Sequence, residues 1–534
     1  MELARLIEVL SDPRAYPDST TKVEIHQTHI SVVFVTDIFA YKIKKPVTLE
    51  FLDYSTLEKR RHWCEEEVRL NHRLAAQIYL GVVPIADDGS GVRVEGSGPV
   101  VEWAVKMHTL SEETSLSQVI ECGQLSQDAI ETLARRIADF HRHADRGPSI
   151  ARFGRFDVVA RNNRDNFEQS TSQVGTIVSE AVFDRLGTLT EKALAQHRAL
   201  IEDRADRGIP CDGHGDIRMD HVYLFPDSRP PDDLAIVDCI EFNLRFRAAD
   251  PIADMAFLVM DLIRHGYREL ALSFRDAYLA AAGDNQGARL VPFYVAYRAA
   301  VRAKVNGIKV GSNELSASAR ARAEHDARAQ WMLALSSLEE PGRRPCLVLV
   351  GGLPGTGKST LARELATDAG FEVIRSDEIR KELALESGTH DNESQGTYAS
   401  GIYTSEWTKR TYNECLARAD AALFEGKRVV VDASFRAESQ RRRFLKLAAD
   451  WCVSGILFIC HAEAAVVKTR LEERRNDVSD ADWAVYLETA QRWEPLRGRT
   501  MERALMIETG RYDSEPLKQA IEALKDYDLL LRLS

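Results

Sequence analysis

A glycine-rich stretch near the middle of the chain has the residue types and spacing of a phosphate-binding loop. It runs Gly352-Leu-Pro-Gly-Thr-Gly-Lys-Ser-Thr360 and fits the Walker A pattern G-x-x-x-x-G-K-[ST]. The backbone N–H groups of such a loop point at phosphate oxygens, its lysine reaches the outer phosphates, and its hydroxyl can ligate Mg²⁺. The pattern therefore predicts an ATP site formed by Gly352, Pro354, Gly355, Thr356, Gly357, Lys358, Ser359 and Thr360, with Ser359 also a Mg²⁺ ligand.

Two acidic residues follow at the ends of apolar segments. Asp377 comes just after a predicted strand over residues 371–375, and Asp432 ends a second strand. Strand ends of this kind carry the ligands of open α/β sheets. We predict that Asp377 deprotonates an acceptor hydroxyl, although a helix N-cap is an alternative and compatible role. Asp432 is predicted to act on the Mg²⁺ shell, and Arg380 to hold an anionic group of the substrate or the transferring phosphate.

Arginines further along the chain could close over a bound nucleotide. Arg470 and Arg474 lie at near-helical spacing, and we predict that they form a lid that stabilises charge during transfer. A solvated helix face is the alternative interpretation of the same spacing. The run Arg441-Arg-Arg443 has no partner pattern and is predicted to lie on the surface.

A second constellation lies upstream, where His214-Gly-Asp216 is followed by a short strand, a turn and a second strand that ends in Asp238. One aspartate could accept the proton of a substrate hydroxyl, and the other could hold Mg²⁺ against ATP. We predict these roles for Asp216 and Asp238. Aspartates beside glycines also serve as turn residues, which is the alternative.

This second pattern resembles the aminoglycoside phosphotransferase and choline kinase group of protein-kinase-like folds, over roughly residues 20–330. The resemblance implies that Lys42 is the strand lysine that binds the phosphates of ATP. It also implies that Glu67 is the helix glutamate that orients this lysine. Lys44 and Lys45 compete with Lys42 for that role.

The chain departs from that group in two places. His221 stands where the group has a metal-binding asparagine, and we place it among the metal ligands, with a hydrogen bond to phosphate and reduced activity as open alternatives. No G-x-G-x-x-G precedes Lys42, so the segment that covers the nucleotide phosphates must differ from a loop of that motif.

Strand–helix alternation after residue 345 predicts a parallel sheet wrapped by helices. This part resembles the small P-loop kinases, namely gluconate-kinase-like enzymes, polynucleotide 5′-kinases and zeta-type toxins. The predicted fold is therefore a two-part α/β protein: a kinase-like bilobal fold with a β-rich small lobe and a helical large lobe, then a P-loop α/β domain. The predicted boundaries are 1–110 for the small lobe, 111–338 for the large lobe, 339–345 for a linker and 346–534 for the P-loop domain.

The order of the two parts resembles a bacterial family described as bifunctional aminoglycoside phosphotransferase/ATP-binding proteins. The resemblance implies an ATP- and Mg²⁺-dependent kinase with two nucleotide sites and a small polar hydroxyl acceptor. Two rival hypotheses remain open: an N-terminal pseudokinase-like sensor that gates one active P-loop kinase, and a kinase of nucleic-acid ends or nucleotide sugars.

The composition of the chain indicates which classes of protein fit these hypotheses. The 534 residues are 44% hydrophobic and 28% charged, which is typical of globular domains. A net charge of −12 argues against a broad nucleic-acid or anionic-membrane surface, and no apolar run is long enough to span a bilayer. Eight scattered cysteines without ligand spacing predict reduced thiols and a cytoplasmic protein. The oligomeric state cannot be predicted from these features.

Overall fold

The computed structural model describes residues 1–49, 52–89, 91–311, 315–386, 404–473, 482–510 and 515–531. These residues divide into two compact units. Unit 1 comprises Met1–Asn162 and Gln196–Val295, and unit 2 comprises Asn163–Ala195 and Ala296–Ser534. No helix among the described residues is long and apolar enough to cross a membrane.

The described strands are, in chain order, β1 Glu24–Gln27, β2 Ser31–Val35, β3 Phe39–Lys44, β4 Thr48–Leu49, β5 Leu52–Asp53, β6 Tyr79–Asp87, β7 Val92–Val94, β8 Val100–His108, β9 Cys211–Asp212, β10 Val222–Leu224, β11 Leu234–Ile236, β12 Ala248–Ala249, β13 Cys346–Gly352, β14 Glu372–Arg375, β15 Arg428–Asp432, β16 Ser454–His461 and β17 Ala504–Glu508.

The described α-helices are α1 Leu3–Leu10, α2 Leu57–Ala75, α3 Leu116–Glu121, α4 Gln127–His143, α5 Pro148–Ala151, α6 Phe156–Glu168, α7 Glu180–Asp206, α8 Leu244–Arg247, α9 Pro251–Arg264, α10 Arg268–Ala282, α11 Val291–Val310, α12 Ala317–Leu338, α13 Lys358–Ala369, α14 Ser376–Glu386, α15 Ser405–Phe424, α16 Glu438–Asp450, α17 Ala464–Glu473, α18 Trp483–Gln491, α19 Arg499–Glu502 and α20 Glu515–Asp526.

Unit 1 begins with an antiparallel sheet in the strand order β1-β2-β3-β8-β6-β7. Helix α2 packs on one face of this sheet, and its N-cap Thr56 accepts a hydrogen bond from the Lys59 N–H. On strand β3, Lys42 and Lys44 are two residues apart, so they project from the same face. The helical part of the unit follows, with α9 almost entirely buried at its centre.

Unit 2 contains a five-stranded parallel sheet in the order β14-β15-β13-β16-β17. The central strand β13 is apolar and buried at every position, which is expected of a parallel strand covered by helices on both faces. The two-part α/β fold class predicted from the sequence is confirmed.

Some elements differ from the sequence-based expectation. Strands β6 and β17 were not predicted, and β6 lies between β7 and β8 in the sheet of unit 1. Unit 2 also includes helical segments from residues 163–195 and 296–338, which the predicted boundaries assign to the large lobe. The predicted boundaries themselves stay a prediction.

Helices from that region pack against the parallel-sheet part of unit 2 at Gly426. This residue has φ +67°, and a Cβ there would lie 2.8 Å from Val182 Cγ2 and 3.3 Å from Leu335 Cδ2. Arg185 donates a hydrogen bond of 3.1 Å to the Gly426 carbonyl oxygen. The lack of a side chain at Gly426 therefore permits this close packing.

We predict that Gly426→Ala lowers the free energy of unfolding of unit 2 by about 2 to 5 kcal/mol, because a left-handed alanine and an overpacked contact both cost energy. Chemical denaturation and calorimetry measure the change. Gly370→Ala is the matched control, since Gly370 has the same φ of +67° but has nothing within 4 Å of its Cβ position. Equal losses in the two variants would show that the packing at Gly426 contributes nothing.

Candidate active sites

The carboxyl edge of the parallel sheet in unit 2 brings the predicted acids together. In the sheet register, Val350 of β13, Asp432 of β15 and Arg375 of β14 lie side by side. Asp377 lies in the first turn of α14, two residues beyond Arg375. The parallel arrangement thus places Asp432 beside Val350, which is 82 positions away in sequence, and beside Arg375, which is 57 positions away.

The glycine-rich loop joins β13 to α13 at this same edge. Its glycines at 352, 355 and 357 have φ values of +142°, +76° and +86°, and α13 begins at Lys358. The Lys358 ammonium donates a hydrogen bond of 2.8 Å to the Leu353 carbonyl oxygen, and the Thr356 hydroxyl donates one of 2.7 Å to the same atom. The loop therefore curls over its own lysine, with the N-terminus of α13 behind it.

Asp432 is the buried centre of this edge. Ser359, Lys358 and Asp377 are all close enough to its carboxylate to act on its charge. The Arg375 Nε lies 3.5 Å from Asp432 Oδ2. Burial raises the pKa of Asp432, and the nearby Asp377 raises it further, although Lys358 and Ser359 oppose the shift.

The predicted arginines occupy different parts of the unit. Arg380 is buried on α14, and its charge acts on Tyr412 and Cys415 of α15. Arg470 lies beside the phosphate-binding loop, since its Nη1 is 3.8 Å from the position of a Cβ on Gly357. Arg474 lies outside the described residues. Within the loop, Pro354 is half-buried and Thr360 is exposed.

Thr509 is a contact of the loop that the sequence analysis missed. It follows β17, and its hydroxyl lies 2.6 Å from the Thr356 carbonyl oxygen and 2.8 Å from that of His461. Its own carbonyl oxygen accepts a hydrogen bond of 2.6 Å from Arg470. Thr509 therefore ties the loop to strand β16 and to Arg470. Because β17 was not predicted, nothing marked Thr509 in the sequence.

The prediction that Arg441 lies on the surface is wrong. Its side chain is fully buried and donates hydrogen bonds of 2.6 Å to the Phe435 carbonyl oxygen and 2.8 Å to that of Glu494. Its guanidinium also stacks on Trp493. Arg441 thus fixes the loop that follows Asp432, which is a role that a charge run in sequence does not reveal.

In unit 1 the structure brings Lys42, Glu67 and Asp238 together. The Lys42 ammonium lies 2.8 Å from Glu67 Oε1 and 2.8 Å from Asp238 Oδ1. Asp238 has a left-handed φ of +63°, and its N–H donates to the Tyr79 hydroxyl at 3.2 Å. Lys42 lowers the pKa of Asp238, with His221 contributing further.

A second lysine shares Glu67. The Lys44 ammonium lies 2.5 Å from Glu67 Oε2 and also pairs with Glu241, which accepts a hydrogen bond of 2.9 Å from Tyr54. All four side chains are buried. The sequence analysis considered Lys44 only as a competitor of Lys42, whereas in the structure both lysines pair with Glu67. Glu241 was not singled out.

The loop that carries Asp216 is held by acids of helix α9. Asp254 accepts hydrogen bonds from the N–H groups of His214 and Gly215 at 2.7 and 2.8 Å. His214 in turn lies 3.1 Å from the Val237 carbonyl oxygen through Nε2, and burial lowers its pKa to about 4. The two segments that carry Asp216 and Asp238 are therefore joined through His214.

His221 lies between the two predicted acids. Its Nδ1 is 3.6 Å from Asp216 Oδ2, and its Nε2 is 3.7 Å from Asp238 Oδ2. The structure thus gathers Asp216, His221, Asp238, Lys42 and Glu67 at one place. Their individual roles stay predictions.

The oxygen ligands at both sites suit Mg²⁺, which binds through one or two carboxylates together with phosphates and waters. Asp432 with Ser359 offers a carboxylate and a hydroxyl in unit 2, and the burial that raises the pKa of Asp432 would be offset by a cation. Among the described residues, no three His, Cys, Asp or Glu side chains form a cluster that could hold a metal ion by themselves.

One family model and several relatives match this chain. The family model described as "AAA domain" matches residues 347–496. The uncharacterized protein Rv2004c of Mycobacterium tuberculosis strain H37Rv is 34% identical over 459 residues, which cover 86% of this chain and 88% of that protein. The chain belongs to the Rv2004c family. The uncharacterized protein Mb2027c of Mycobacterium bovis matches with the same identity and coverage.

Two solved structures are each similar to a part of the chain. A gluconokinase from Sinorhizobium meliloti 1021 covers 35% of this chain and 94% of its own, with 16% identity and a TM-score of 0.26. The GDP complex of aminoglycoside 2′-phosphotransferase-IIIa covers 62% of this chain and 99% of its own, with 15% identity and a TM-score of 0.39.

The opposite pKa shifts of Asp432 and Asp238 predict opposite effects on stability. A raised pKa means that the native state holds the proton more tightly, so ionised Asp432 destabilises the fold above that pKa. We expect Asp432→Asn to stabilise unit 2 at pH 7 by about 0.5 to 2 kcal/mol, which is the usual gain when a functional site is relieved. The gain should shrink as the pH falls toward 4. Thermal and chemical unfolding from pH 7 to pH 4 measure it.

Asp238→Asn serves as the opposing control. Its lowered pKa stabilises the native state above about pH 4, and this contribution disappears only as the pH falls below the ordinary pKa of aspartate. We expect a small loss of stability at pH 7, because the side chain is half-exposed. A loss of stability in Asp432→Asn at pH 7 would contradict the assignment of Asp432 as an uncompensated buried carboxylate.

Proposed function

We propose that the chain is an ATP- and Mg²⁺-dependent phosphotransferase with two nucleotide sites. Each site would transfer the γ-phosphoryl group to a hydroxyl of a small polar metabolite, such as a sugar, a sugar acid or an aminocyclitol. The observation that carries the proposal is the convergence of Lys358, Ser359 and Asp377 on the buried Asp432. A phosphate-binding loop, a metal-binding acid and a candidate base then share one sheet edge.

The chemistry at each site is a balanced in-line transfer. The acceptor oxygen forms a bond to the γ-phosphorus, and its proton passes to a carboxylate, Asp377 in unit 2 or Asp216 in unit 1. The bond from the γ-phosphorus to the bridging oxygen breaks, and ADP leaves with that electron pair. Asp432 and Ser359 in unit 2, and Asp238 in unit 1, would hold Mg²⁺, which would supply charge neutralisation when bound. The residues supply alignment and fixed positive charge.

The unit 1 site supports a second nucleotide through its own geometry. Lys42 is held between Glu67 and Asp238, and Asp216 is within reach of the same cluster through His221. This arrangement suits a lysine that binds phosphates and an acid that binds the accompanying cation.

We predict that the two activities separate by mutation. Lys358→Ala should lower phosphorylation at the unit 2 site at least about 100-fold, and Asp216→Asn should do the same at the unit 1 site, because each removes a charge or base that acts in transfer. The measurement is an acceptor screen by phosphorus NMR with ATP and Mg²⁺ on the full chain. Products that disappear in only one variant are assigned to that site.

Matched controls retain the charges at the sites. Lys427→Ala removes an exposed lysine paired with Glu372, and Asp233→Asn removes an aspartate paired with Arg136. Both should leave every activity unchanged. The proposal fails if Lys358→Ala and Asp216→Asn match wild type against every productive acceptor.

One observation favours a second candidate function for unit 1. Asp216 and Asp238 each already have a cationic partner from the protein, Arg218 and Lys42, which suits a binding module as well as an enzyme. In that case unit 1 senses a ligand and only the P-loop unit turns over. Asp216→Asn would then leave all turnover intact, and a product lost in that variant alone would exclude the sensor.

A further inference from the structure

Arg218 lies at the centre of the unit 1 site and was not singled out in the sequence. Its Nε is 3.2 Å from both carboxylate oxygens of Asp216, and its Nη2 is 2.5 Å from His221 Nε2. Its side chain is 19% exposed. The guanidinium is therefore held on two sides, and the side chain as a whole is not fully buried.

His221 acts as the anchor of this guanidinium. Its Nδ1 lies 2.9 Å from the Asp216 carbonyl oxygen, which can only accept, so Nδ1 carries the proton. Nε2 is then the acceptor for Arg218. Both ring nitrogens are thus engaged within the protein. His221 directs a fixed cation into the site, and a metal ion at His221 would have to displace Arg218.

The surrounding charges explain why a cation is needed there. Four aspartates act on Arg218 and raise its pKa, namely Asp216, Asp261, Asp220 and Asp238. Nucleotide phosphates would add negative charge to this same region. Lys42 is shared between Glu67 and Asp238, so it serves the Asp238 side of the site. Arg218 is a protein cation on the Asp216 side.

We infer that Arg218 binds the γ-phosphate of the nucleotide in unit 1 and takes up its charge during transfer, where a second divalent cation would otherwise act. The inference rests on the function proposed for unit 1. An acceptor hydroxyl bonded to Asp216 must lie about 3 to 3.5 Å from the γ-phosphorus. A guanidinium fixed 3.2 Å from the same carboxylate is therefore within reach of the γ-phosphate oxygens. The planar guanidinium suits their geometry.

The test measures binding, so it does not depend on turnover. In the full chain with Lys358→Ala, which weakens the P-loop site, calorimetry gives the dissociation constants of Mg·ATP and Mg·ADP without acceptor. Arg218→Met in this background should lower the preference for ATP over ADP about 10- to 100-fold, because one charge-assisted contact to the γ-phosphate is lost. Affinity for ADP should change less than about two-fold on that same reasoning. Arg218→Lys should retain part of the preference.

Arg136→Met is the matched control. Arg136 pairs with Asp233 in the same unit and is 23% exposed, yet it lies outside the cluster described above. An ATP preference in Arg218→Met equal to that of the control would overturn the inference and leave the proposed function standing. Should Arg218→Met not fold, His221→Ala decides, because it removes the anchor and keeps the charge: a reduced preference supports the inference, and an unchanged one overturns it. A folded Lys358→Ala parent that binds neither nucleotide would refute the unit 1 nucleotide site and, with it, the role of Arg218.

Discussion

Carboxylates removed from water are the constraint on which both sites depend. An unpaired buried charge costs several kcal/mol, so a buried carboxylate requires a cationic partner. This partner comes either from the protein or from a bound ligand. In unit 1 the buried Glu67 and Glu241 are paired with Lys42 and Lys44. In unit 2 the buried Asp432 has no such complete pairing, and its pKa is raised. The same physical problem is solved by lysine partners in unit 1 and only in part by side chains in unit 2.

Lys42 and Lys44, which both lie on strand β3, have different roles in unit 1. Lys42 and Lys44 project from the same face of β3 and hold the two oxygens of Glu67. Lys44 is the more deeply buried and is locked by Glu241, whereas Lys42 also contacts the half-exposed Asp238. If Lys42 moves from Asp238 to a phosphate, Glu67 keeps a counter-ion. The helix that carries Glu67 can then remain in place during an exchange of ligands.

Sequence patterns predicted what is local and missed what depends on distant contacts. The glycine-rich loop and the strand Arg428–Asp432 follow from neighbouring residues alone. Strand β6 contains Gly81 and Pro84, which weaken any strand pattern, and it is stabilised by pairing with β8. Arg441 belongs to a run of three arginines, and nothing in the run shows which one is buried against backbone carbonyls. The Lys44–Glu241 pair joins positions 197 apart, so only the tertiary fold could reveal it.

Two arginines show how fixed cations distinguish the units. Arg441 donates hydrogen bonds to carbonyl oxygens and to the Glu438 carboxylate, and so stabilises a loop without neutralising Asp432. Arg218 contacts the Asp216 carboxylate and is anchored by His221. His221 stands where the aminoglycoside phosphotransferase and choline kinase group has a metal-binding asparagine. The positive charge of the unit 1 site is therefore supplied by side chains. This charge does not depend on the concentration of divalent cations. Under the proposed function, unit 2 would depend more on Mg²⁺ for that charge, because Arg375 approaches Asp432 only to 3.5 Å. On this argument the two sites differ in their dependence on divalent cations even though they would catalyse the same kind of transfer.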